Sequence, residues 1–369
     1  MKVLQVLPEL NSGGVERGTL ELAQYLVANG HESYVLSNGG RLVSQLISEG
    51  SQHIQLPVHK KSLLTFRYIF AVKSFLEREG FDIVHLRSRM PAWIVYIAWN
   101  LMPKAERPKL ITTVHGFYSV NPYSAIMTYG EAVICVSKSI KEYVKNKYPS
   151  TDTKKLNIVH RGVDVDRYNP EFKPNDHWLK NWEDEHPHLR KKCVLTLPGR
   201  LSAWKGHREF IEIIHHLKNE SIPVHGLIVG DLHPTKQGYY QSLLQEIKDL
   251  KLEDAITFLG HRNDIHEIMS ISNLVVSCSK TPEAFGRVTL EALSLGKPVF
   301  AYAHGGVKEQ LEVLFPEGMM EANKLASMKI KIRHFLQSNN PSTPKINSEF
   351  TLDTMNQKIL KVYESTLKI

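Results

Sequence analysis

The chain is 369 residues long, with 42% hydrophobic and 23% charged residues, a formal net charge of +8 and a pI near 9.1. Single hydrophobic cores rarely grow beyond about 250 to 300 residues, so this length predicts two domains. The positive charge suits nucleic acid, an anionic membrane surface or a phosphorylated ligand, and composition does not choose among them. Since no window approaches 18 uninterrupted apolar residues, no membrane span is predicted.

The N-terminus and the cysteines predict a cytoplasmic protein. The apolar run in MKVLQVLPEL is far too short for the hydrophobic region of a signal peptide. Cys135, Cys193 and Cys278 lie far apart in strand-like runs, which is typical of buried, reduced thiols. The apolar segment MPAWIVYIAWNLMP, residues 90–103, is too short to span a bilayer and is predicted to be a buried helix of the first domain.

Short β-branched runs alternate with helical patterns in the first half of the chain. The strand-like runs are KVLQVL, SYVLS, DIVHLR, KLITTVHG, AVICVS and LNIVHRGV. This alternation predicts βαβ units and a parallel, doubly wound sheet. Ligands of such sheets bind at the carboxyl ends of the strands. Gly13 and Gly14, after the first strand, and His115, after the KLITTV strand, are therefore candidate site residues.

Residues 168–192 are polar and proline-punctuated, and are interpreted as the end of the first domain and the link to the second. A second alternating series follows, with the strand-like runs CVLTLPGR, VHGLIVGD, AITFLG, NLVVSCS and PVFAY. The predicted fold is α/β, with two Rossmann-like doubly wound domains that face a cleft. The predicted ranges are residues 1–180, residues 181–350 and a C-terminal helical segment, residues 351–369.

Residues 281–303, TPEAFGRVTLEALSLGKPVFAYA, carry the strongest local signal. Gly286 permits close backbone approach, and a helix is predicted to begin near Arg287. Free N–H groups at a helix start favour an anion such as phosphate, whereas Glu283 and Glu291 suit hydroxyl groups. Together they indicate a phosphate ester of a polyhydroxylated molecule, such as a nucleotide sugar. On spacing alone, an equal alternative to a ligand site is that Glu283 is an exposed loop residue and Glu291 a solvated helix residue.

Arg200 and Lys205, in PGRLSAWKGH, follow the first strand of the second domain. At that strand end they would form a cationic clamp for a diphosphate, the alternative being ordinary surface charges. Gly13 and Gly14 could offer backbone N–H groups to an anion, although Gly-Gly pairs are also common in surface turns. Asp164 and Asp166 resemble an Asp-x-Asp metal site, but solvated side chains are the preferred interpretation, and no metal site is predicted.

These motifs together resemble glycosyltransferase family 4, a family of retaining enzymes with the GT-B fold that includes bacterial lipopolysaccharide and capsule enzymes. The resemblance covers nearly the full length. It is carried by GGVER, VHG, HRGVDVDRYNP, PGRLSAWKGH, FLGHRNDI and PEAFGRVTLEALSLGKPVFAYAHGGVKE, of which the last contains the family's Glu-x7-Glu pair. One departure is Arg161, which stands where the family often has asparagine before Gly-Val-Asp, so an asparagine contact is not expected there.

The resemblance implies a role for each residue of the Glu-x7-Glu segment. Glu291 would bind the ribose hydroxyls of the nucleotide, and Glu283 the hydroxyls of the donor sugar. The backbone N–H groups of Phe285, Gly286 and Arg287 would assist Glu283. The donor would be a nucleotide diphosphate sugar, with a UDP-sugar expected, and catalysis would need no metal.

The resemblance also assigns residues outside that segment. Arg200 and Lys205 would hold the diphosphate and stabilise the charge that develops as it leaves. Arg262 would lie near the base, Gly14 would face the phosphates and the acceptor, and His115 would contact the donor sugar. The C-terminal helix would cross back onto the first domain.

Residues 59–79, HKKSLLTFRYIFAVKSFLERE, combine five Lys or Arg and two Glu with Leu63, Phe66, Ile69 and Phe70. This composition suggests contact with an anionic inner membrane leaflet where a lipid-linked acceptor is presented; a core helix with a basic edge is an equal alternative. Arg87 and Arg89 could meet an anionic acceptor or pair with acidic residues of the protein.

The function that the resemblance implies is transfer of a sugar from a nucleotide sugar to a glycan or lipid-linked acceptor in envelope polysaccharide assembly. A GT-B nucleotide-sugar epimerase would bind the same donor without an acceptor. A non-catalytic nucleotide-sugar-binding protein is the alternative from another class, and the intact set of Glu283, Glu291, Arg200 and Lys205 argues against it. A nucleic-acid binder is not expected, because the positive residues cluster in predicted cleft loops.

Overall fold

The computed structural model describes residues 1–11 and 13–368, apart from the side chain of Leu63. The chain divides into two compact units. The first unit comprises Met1–Arg161 together with Leu352–Ile369, and the second comprises Gly162–Thr351.

The first unit contains a seven-stranded parallel sheet. Its strands lie in the spatial order β3-β2-β1-β4-β5-β6-β7. Most of their Val, Ile and Leu residues are buried, as parallel sheets covered on both faces require. The strands are β1 (Lys2–Val6), β2 (Glu32–Ser37), β3 (Gln52–Gln55), β4 (Ile83–Leu86), β5 (Lys109–Val114), β6 (Ala132–Cys135) and β7 (Leu156–Ile158).

Helices follow most of these strands. The helix after β4 covers most of the apolar segment 90–103 and buries Ile94, Val95 and Ala98, so the prediction of a buried helix there is confirmed. The helices are α1 (Gly14–Ala28), α2 (Val43–Ser48), α3 (Tyr68–Glu79), α4 (Arg89–Asn100), α5 (Pro122–Ala125) and α6 (Lys138–Lys147). Among the described residues, no helix is long and apolar enough to cross a membrane.

The second unit contains a six-stranded parallel sheet in the order β10-β9-β8-β11-β12-β13. Its strands are β8 (Cys193–Pro198), β9 (Val224–Val229), β10 (Ile256–Gly260), β11 (Leu274–Ser277), β12 (Val299–Tyr302) and β13 (Met319–Met320). Its helices are α7 (Asp176–Glu185), α8 (His207–Asn219), α9 (Gln237–Asp249), α10 (Ile265–Ile271), α11 (Arg287–Ser294), α12 (Gly305–Leu314) and α13 (Leu325–Gln337). The prediction of an α/β fold with two parallel sheets is confirmed.

The last helix, α14 (Leu352–Leu367), belongs to the first unit. Met355 and Ile359 join the core cluster that contains Ile83 and Ile111 of the first sheet. The Tyr363 hydroxyl lies 2.7 Å from His85 Nδ1, and both side chains are fully buried. The final helix therefore covers one face of the first sheet together with α1.

The division between the units lies at Arg161 and Gly162, earlier than the predicted boundary at residue 180. The physical reason is that the intervening segment packs on the second unit. The His266 ring lies 4.8 Å from that of Tyr168, and Trp178 donates to Asp264. The polar segment 168–192 also forms α7, which the sequence interpretation missed. Its Trp182 is buried in the core of the second unit.

Each sheet has one point where the strand order reverses, between β1 and β4 in the first unit and between β8 and β11 in the second. Helical connections leave these neighbouring strands toward opposite sides, which opens a crevice at their carboxyl ends. The loops after these four strands are therefore where a ligand-binding site is expected in each unit.

Candidate active site

The two predicted diphosphate-binding cations follow β8, at the reversal point of the second sheet. Arg200 is exposed, whereas the Lys205 side chain is 16% exposed. Lys205 ends a 3-10 turn, Ala203–Lys205, and is followed by Gly206 in the left-handed region with φ of 76°. A Cβ on Gly206 would lie 2.1 Å from the Cys278 carbonyl oxygen, so only glycine lets this turn approach the chain after β11 so closely.

Lys205 and Glu283 contact each other directly. Lys205 Nζ lies 2.8 Å from Glu283 Oε1, and the Ser279 hydroxyl donates to the same oxygen at 2.6 Å. The predicted diphosphate-binding cation and the predicted sugar-binding carboxylate thus come together at adjoining strand ends. A diphosphate would compete with Glu283 for the lysine, and sugar hydroxyls would replace the lysine on the carboxylate.

The loop that carries Glu283 is fixed by the chain after β12. The Gly306 N–H donates to the Glu283 carbonyl at 2.9 Å, and a Cβ on Gly305 would lie 2.2 Å from that carbonyl oxygen. His304 Nε2 lies 2.8 Å from the Ser279 carbonyl oxygen. Sequence reasoning assigned no role to Ser279 or to these three residues. The available signal was the sequence His-Gly-Gly, which begins two residues after the predicted strand PVFAY ends.

Helix α11 begins at Arg287, as predicted, with Gly286 as its N-cap at φ of 89°. A Cβ on Gly286 would lie 2.5 Å from Val307 Cγ2 and 3.8 Å from Glu283 Oε2. Phe285 is 3% exposed, and the Gln310 side chain donates to its carbonyl. The Glu283 carboxylate therefore lies close to the N-terminus of α11, which favours anions.

Glu291 lies one turn inside α11 and is only 6% exposed. Arg287 Nε is 3.8 Å from Glu291 Oε1, so the two side chains form an i,i+4 ion pair. A carboxylate this buried is expected to be paired or to bind a ligand. Its assignment to the ribose hydroxyls stays a prediction.

Arg262 is engaged with the protein itself. Its Nε and Nη2 donate to the two carboxylate oxygens of Asp264 at 2.8 and 2.7 Å. Trp178 Nε1 donates to Asp264 at 2.8 Å as well. The hydrogen bonds from Arg262 lower the pKa of Asp264, and the same pair raises the pKa of Arg262. Arg262 and Trp178 of α7 thus share Asp264 as their hydrogen-bond partner, which anchors α7 to this loop. The predicted position of Arg262 near the nucleotide base stays a prediction.

Gly13, Gly14 and His115 belong to the first unit. Gly13, with φ of 140°, precedes α1 and provides no side-chain cap, and Gly14 is the first residue of that helix. His115 follows β5, and its pKa lies well below the usual range because burial disfavours the charged ring and the positive charges of Arg87 and Arg161 add to that effect. The imidazole is therefore neutral. The predicted roles of these three residues remain predictions.

The described residues contain no group of three or more His, Cys, Asp and Glu side chains placed to hold a metal ion. Asp164 Oδ1 accepts the backbone N–H of Asp166 at 3.0 Å, so this pair forms a local turn.

Comparison with known proteins matches both units. The model of Glycosyltransferase Family 4 matches residues 12–167, and the model of Glycosyl transferases group 1 matches residues 180–347. A crystal structure of a glycosyltransferase from Rickettsia africae is 30% identical, with a TM-score of 0.86, and the match covers 100% of this chain and 98% of that one. The chain belongs to glycosyltransferase family 4. Its fold is the GT-B fold, and the family resemblance noted in the sequence is confirmed.

Two curated relatives indicate the range of reactions near this family 4 glycosyltransferase. N-acetyl-alpha-D-glucosaminyl L-malate synthase of Bacillus anthracis is 26% identical over 83% of this chain and 79% of its own length. UDP-Gal:alpha-D-GlcNAc-diphosphoundecaprenol alpha-1,3-galactosyltransferase of Escherichia coli is 28% identical over 70% of this chain and 67% of its own length. Family 4 membership makes this chain a glycosyltransferase.

Proposed function

We propose that this family 4 glycosyltransferase is a retaining enzyme that transfers a sugar from a UDP-sugar to a glycan or lipid-linked acceptor in envelope polysaccharide assembly. The observation that carries the proposal is the contact of Glu283 with both Lys205 and Ser279 at the reversal point of the second sheet. The Escherichia coli relative, whose name specifies UDP-Gal and a diphosphoundecaprenol-linked acceptor, supports the choice of donor and acceptor class.

In this proposal Lys205 neutralises the charge that develops on the departing diphosphate, with Arg200 as the second cation. Glu283 accepts hydrogen bonds from the donor sugar, and the N–H groups at the start of α11 assist on the same side. The acceptor hydroxyl attacks from the face that the diphosphate leaves, and a phosphate oxygen takes the hydroxyl proton. No protein nucleophile and no metal are required.

The stereochemical test is the anomeric configuration of the product. With an α-linked UDP-sugar as donor, proton NMR of the purified product is expected to show an α-linkage, and a β-linkage would refute the retaining mechanism. Omitting the acceptor is the control. UDP release at an undiminished rate without acceptor would favour the epimerase instead.

The proposed membrane contact involves a basic patch formed by Lys60, Lys61, Arg67 and the apolar side chains beside them. All three cations are exposed, Leu64 is 73% exposed and Phe70 is 70% exposed. Ile69 of the same segment is buried, so the segment is part core and part surface. The side chain of Leu63 lies outside the described residues. Exposed apolar groups among cations fit an anionic bilayer interface.

Flotation with anionic liposomes tests this contact. Since each cation near an anionic surface contributes about 1 kcal/mol, replacing Lys60, Lys61 and Arg67 by Ser is expected to weaken binding at least tenfold. The matched control replaces Lys236, Lys248 and Lys251, exposed lysines of the second unit, and should float like the unmodified enzyme. Equal flotation of the two triple variants would exclude the basic patch as the membrane contact.

A further inference from the structure

The residue before Lys205 is a tryptophan whose ring lies against the lysine ammonium. Lys205 Nζ is 4.5 Å from the centroid of the Trp204 ring. A cation within about 6 Å of an aromatic face is attracted by the quadrupole of the ring, and tryptophan is the strongest partner of this kind. The sequence assigned no role to Trp204, although it lies within the PGRLSAWKGH segment.

The backbone beneath the indole is fixed by the chain that follows β11. Trp204 is the middle residue of the 3-10 turn Ala203–Lys205, and its carbonyl accepts the backbone N–H of Lys280 at 2.7 Å. Lys280 is itself held by an ion pair, since its Nζ lies 2.6 Å from Glu209 Oε1 of α8. The turn that carries the indole is therefore attached to both of the neighbouring strand ends, β8 and β11.

The Lys205 side chain has few other contacts. Its stem lies against Gly199, where a Cβ would be 3.4 Å from both Cδ and Cε of the lysine. Among the described residues, its ammonium has a single hydrogen-bond partner, Glu283 Oε1 at 2.8 Å. The position of the ammonium is thus set by one carboxylate and one aromatic ring.

The two partners affect the lysine charge differently. Glu283 carries a negative charge that offsets the charge of the ammonium, whereas the Trp204 ring attracts the cation without any net charge of its own. In the proposed reaction Glu283 binds the donor sugar, and the lysine faces the diphosphate. The Trp204 ring is then the remaining contact of the ammonium among the described residues, and it leaves the full positive charge available to the leaving group.

Neighbouring cation–aromatic pairs also occur away from the candidate site. Arg167 Cζ, for example, is 5.6 Å from the Tyr168 ring. Trp204 differs because its cation also contacts Glu283 and because its backbone is attached to the next strand end. An experiment on Trp204 must therefore separate the attraction for the cation from simple packing.

We propose that Trp204 is a positioning residue whose indole ring holds the Lys205 ammonium at the leaving-group position when Glu283 binds the donor sugar. This assignment rests on the proposed function, in which Lys205 neutralises the departing diphosphate. The aromatic ring at residue 204, rather than its apolar bulk, then determines kcat.

The first experiment compares Trp204→Leu with Trp204→Phe by steady-state kinetics. Leucine keeps apolar bulk without a ring, and is expected to lower kcat about three- to thirtyfold while the KM for the donor changes little. Phenylalanine keeps a weaker ring and should restore part of the loss. The matched control is Trp99→Leu, since Arg107 Cζ lies 4.7 Å from the Trp99 ring outside the candidate site, and it should leave kcat unchanged. An unchanged kcat in Trp204→Leu, or equal losses in the leucine and phenylalanine variants, would overturn the proposal.

The second experiment leaves the size of the side chain nearly unchanged and also applies if Trp204→Leu does not fold. Biosynthetic incorporation of progressively fluorinated tryptophan withdraws electron density from the ring face and weakens its attraction for a cation. The kcat of the enzyme is expected to fall stepwise with the degree of fluorination. The same labels in Trp204→Phe affect only the other four of the five tryptophans, so kcat should not vary there. An equal dependence on fluorination in both proteins would contradict the role of Trp204.

Lys205→Ala separates failure of this proposal from failure of the proposed function. If Lys205→Ala loses turnover while Trp204→Leu and the fluorinated enzyme retain it, the role of Trp204 is excluded and that of Lys205 stands. If Lys205→Ala retains turnover, the proposed role of Lys205 fails and that of Trp204 fails with it. In the Lys205→Ala background, Trp204→Leu should cause no further loss of residual turnover, and a further loss would show that Trp204 does not act through Lys205.

Discussion

At the scale of single residues, the central feature is the ion pair between Lys205 and Glu283. Their side chains are each 16% exposed, and Ser279 supplies a second hydrogen bond to the carboxylate. An ion pair at a strand end with a further hydroxyl donor is held in place before any ligand arrives, so the proposed binding of a diphosphate by the lysine needs little reorganisation.

Replacing Lys205 by Ala should therefore lower kcat by about 100-fold or more, because the cation proposed to stabilise the departing diphosphate is lost. Steady-state kinetics with saturating donor and acceptor measure this effect. Lys218→Ala is the matched control, since Lys218 is a lysine of α8 in the same unit that pairs with Asp254 at the surface. Turnover within a few-fold of the unmodified enzyme would remove Lys205 from the mechanism.

His225 on β9 gives the second unit a pH-dependent stability. Burial lowers its pKa to about 4 from the usual 6.5. The unfolded chain binds a proton near pH 6.5 and the folded chain only near pH 4, so the unfolded state is favoured increasingly as the pH falls between these values. Each pH unit costs up to about 1.4 kcal/mol for one such group.

Lowering the pH from 7 to 5 should thus remove about 2 kcal/mol of unfolding free energy through His225. Urea unfolding of His225→Gln at both pH values should show a smaller loss, while the exposed His177→Gln should match the unmodified protein. His207, whose pKa is also about 4, is present in both variants and contributes part of the pH dependence of the unfolding free energy in each. Identical losses in His225→Gln and His177→Gln would rule out the contribution of His225.

At the scale of elements, the site depends on backbones that approach more closely than side chains permit. The start of α12 packs closely against the Glu283 loop at Gly305, whose φ is 60°. Left-handed backbone costs other residues about 1 to 2 kcal/mol, and here a Cβ would also meet the Glu283 carbonyl. The loop that carries Glu283 is therefore positioned by a neighbouring helix start.

Gly305→Ala is expected to lower the unfolding free energy by at least about 2 kcal/mol and to reduce kcat, because the Glu283 loop must move. Gly238→Ala is the control, since a Cβ at Gly238 meets nothing within 4 Å in α9, and alanine there should be neutral or stabilising. Chemical denaturation and kinetics of the two variants give both readouts. Equal stability and activity of the two variants would show that the close approach at Gly305 does not position the Glu283 loop.

The sequence predicted a helix boundary correctly where it contains a strong local signal. Gly286 and Arg287 predicted the start of α11, and Gly296, with φ of 70°, lies just beyond its C-terminal end. Helix α7 was missed because its polar composition masks a narrow apolar stripe. The signal that could have found it is the i,i+4 pair of Trp178 and Trp182, whose rings stack at 5.1 Å.

At the scale of the whole molecule, alternating strand and helix patterns were sufficient to predict two parallel sheets, because both periodicities are local. The contact between Lys205 and Glu283 spans 78 residues and depends on β8 lying next to β11. That neighbour relation arises from the strand order of the sheet. The sequence predicted that both residues follow strands and face one cleft, but their direct contact could not be predicted from local patterns. The roles of Ser279 and His304 follow from the same winding, and no local pattern assigned them.

The most direct test of the central claim, nucleotide-sugar binding at Lys205, Glu283 and Glu291, is thermal unfolding of the full-length enzyme with UDP-, GDP- and ADP-sugars. A ligand at 100 times its dissociation constant stabilises the folded state by about 2.7 kcal/mol. We predict a rise in Tm with a UDP-sugar that is strongly reduced in Glu291→Gln and Lys205→Ala. An unchanged Tm with every nucleotide sugar, or an equal rise in both variants, would contradict the account.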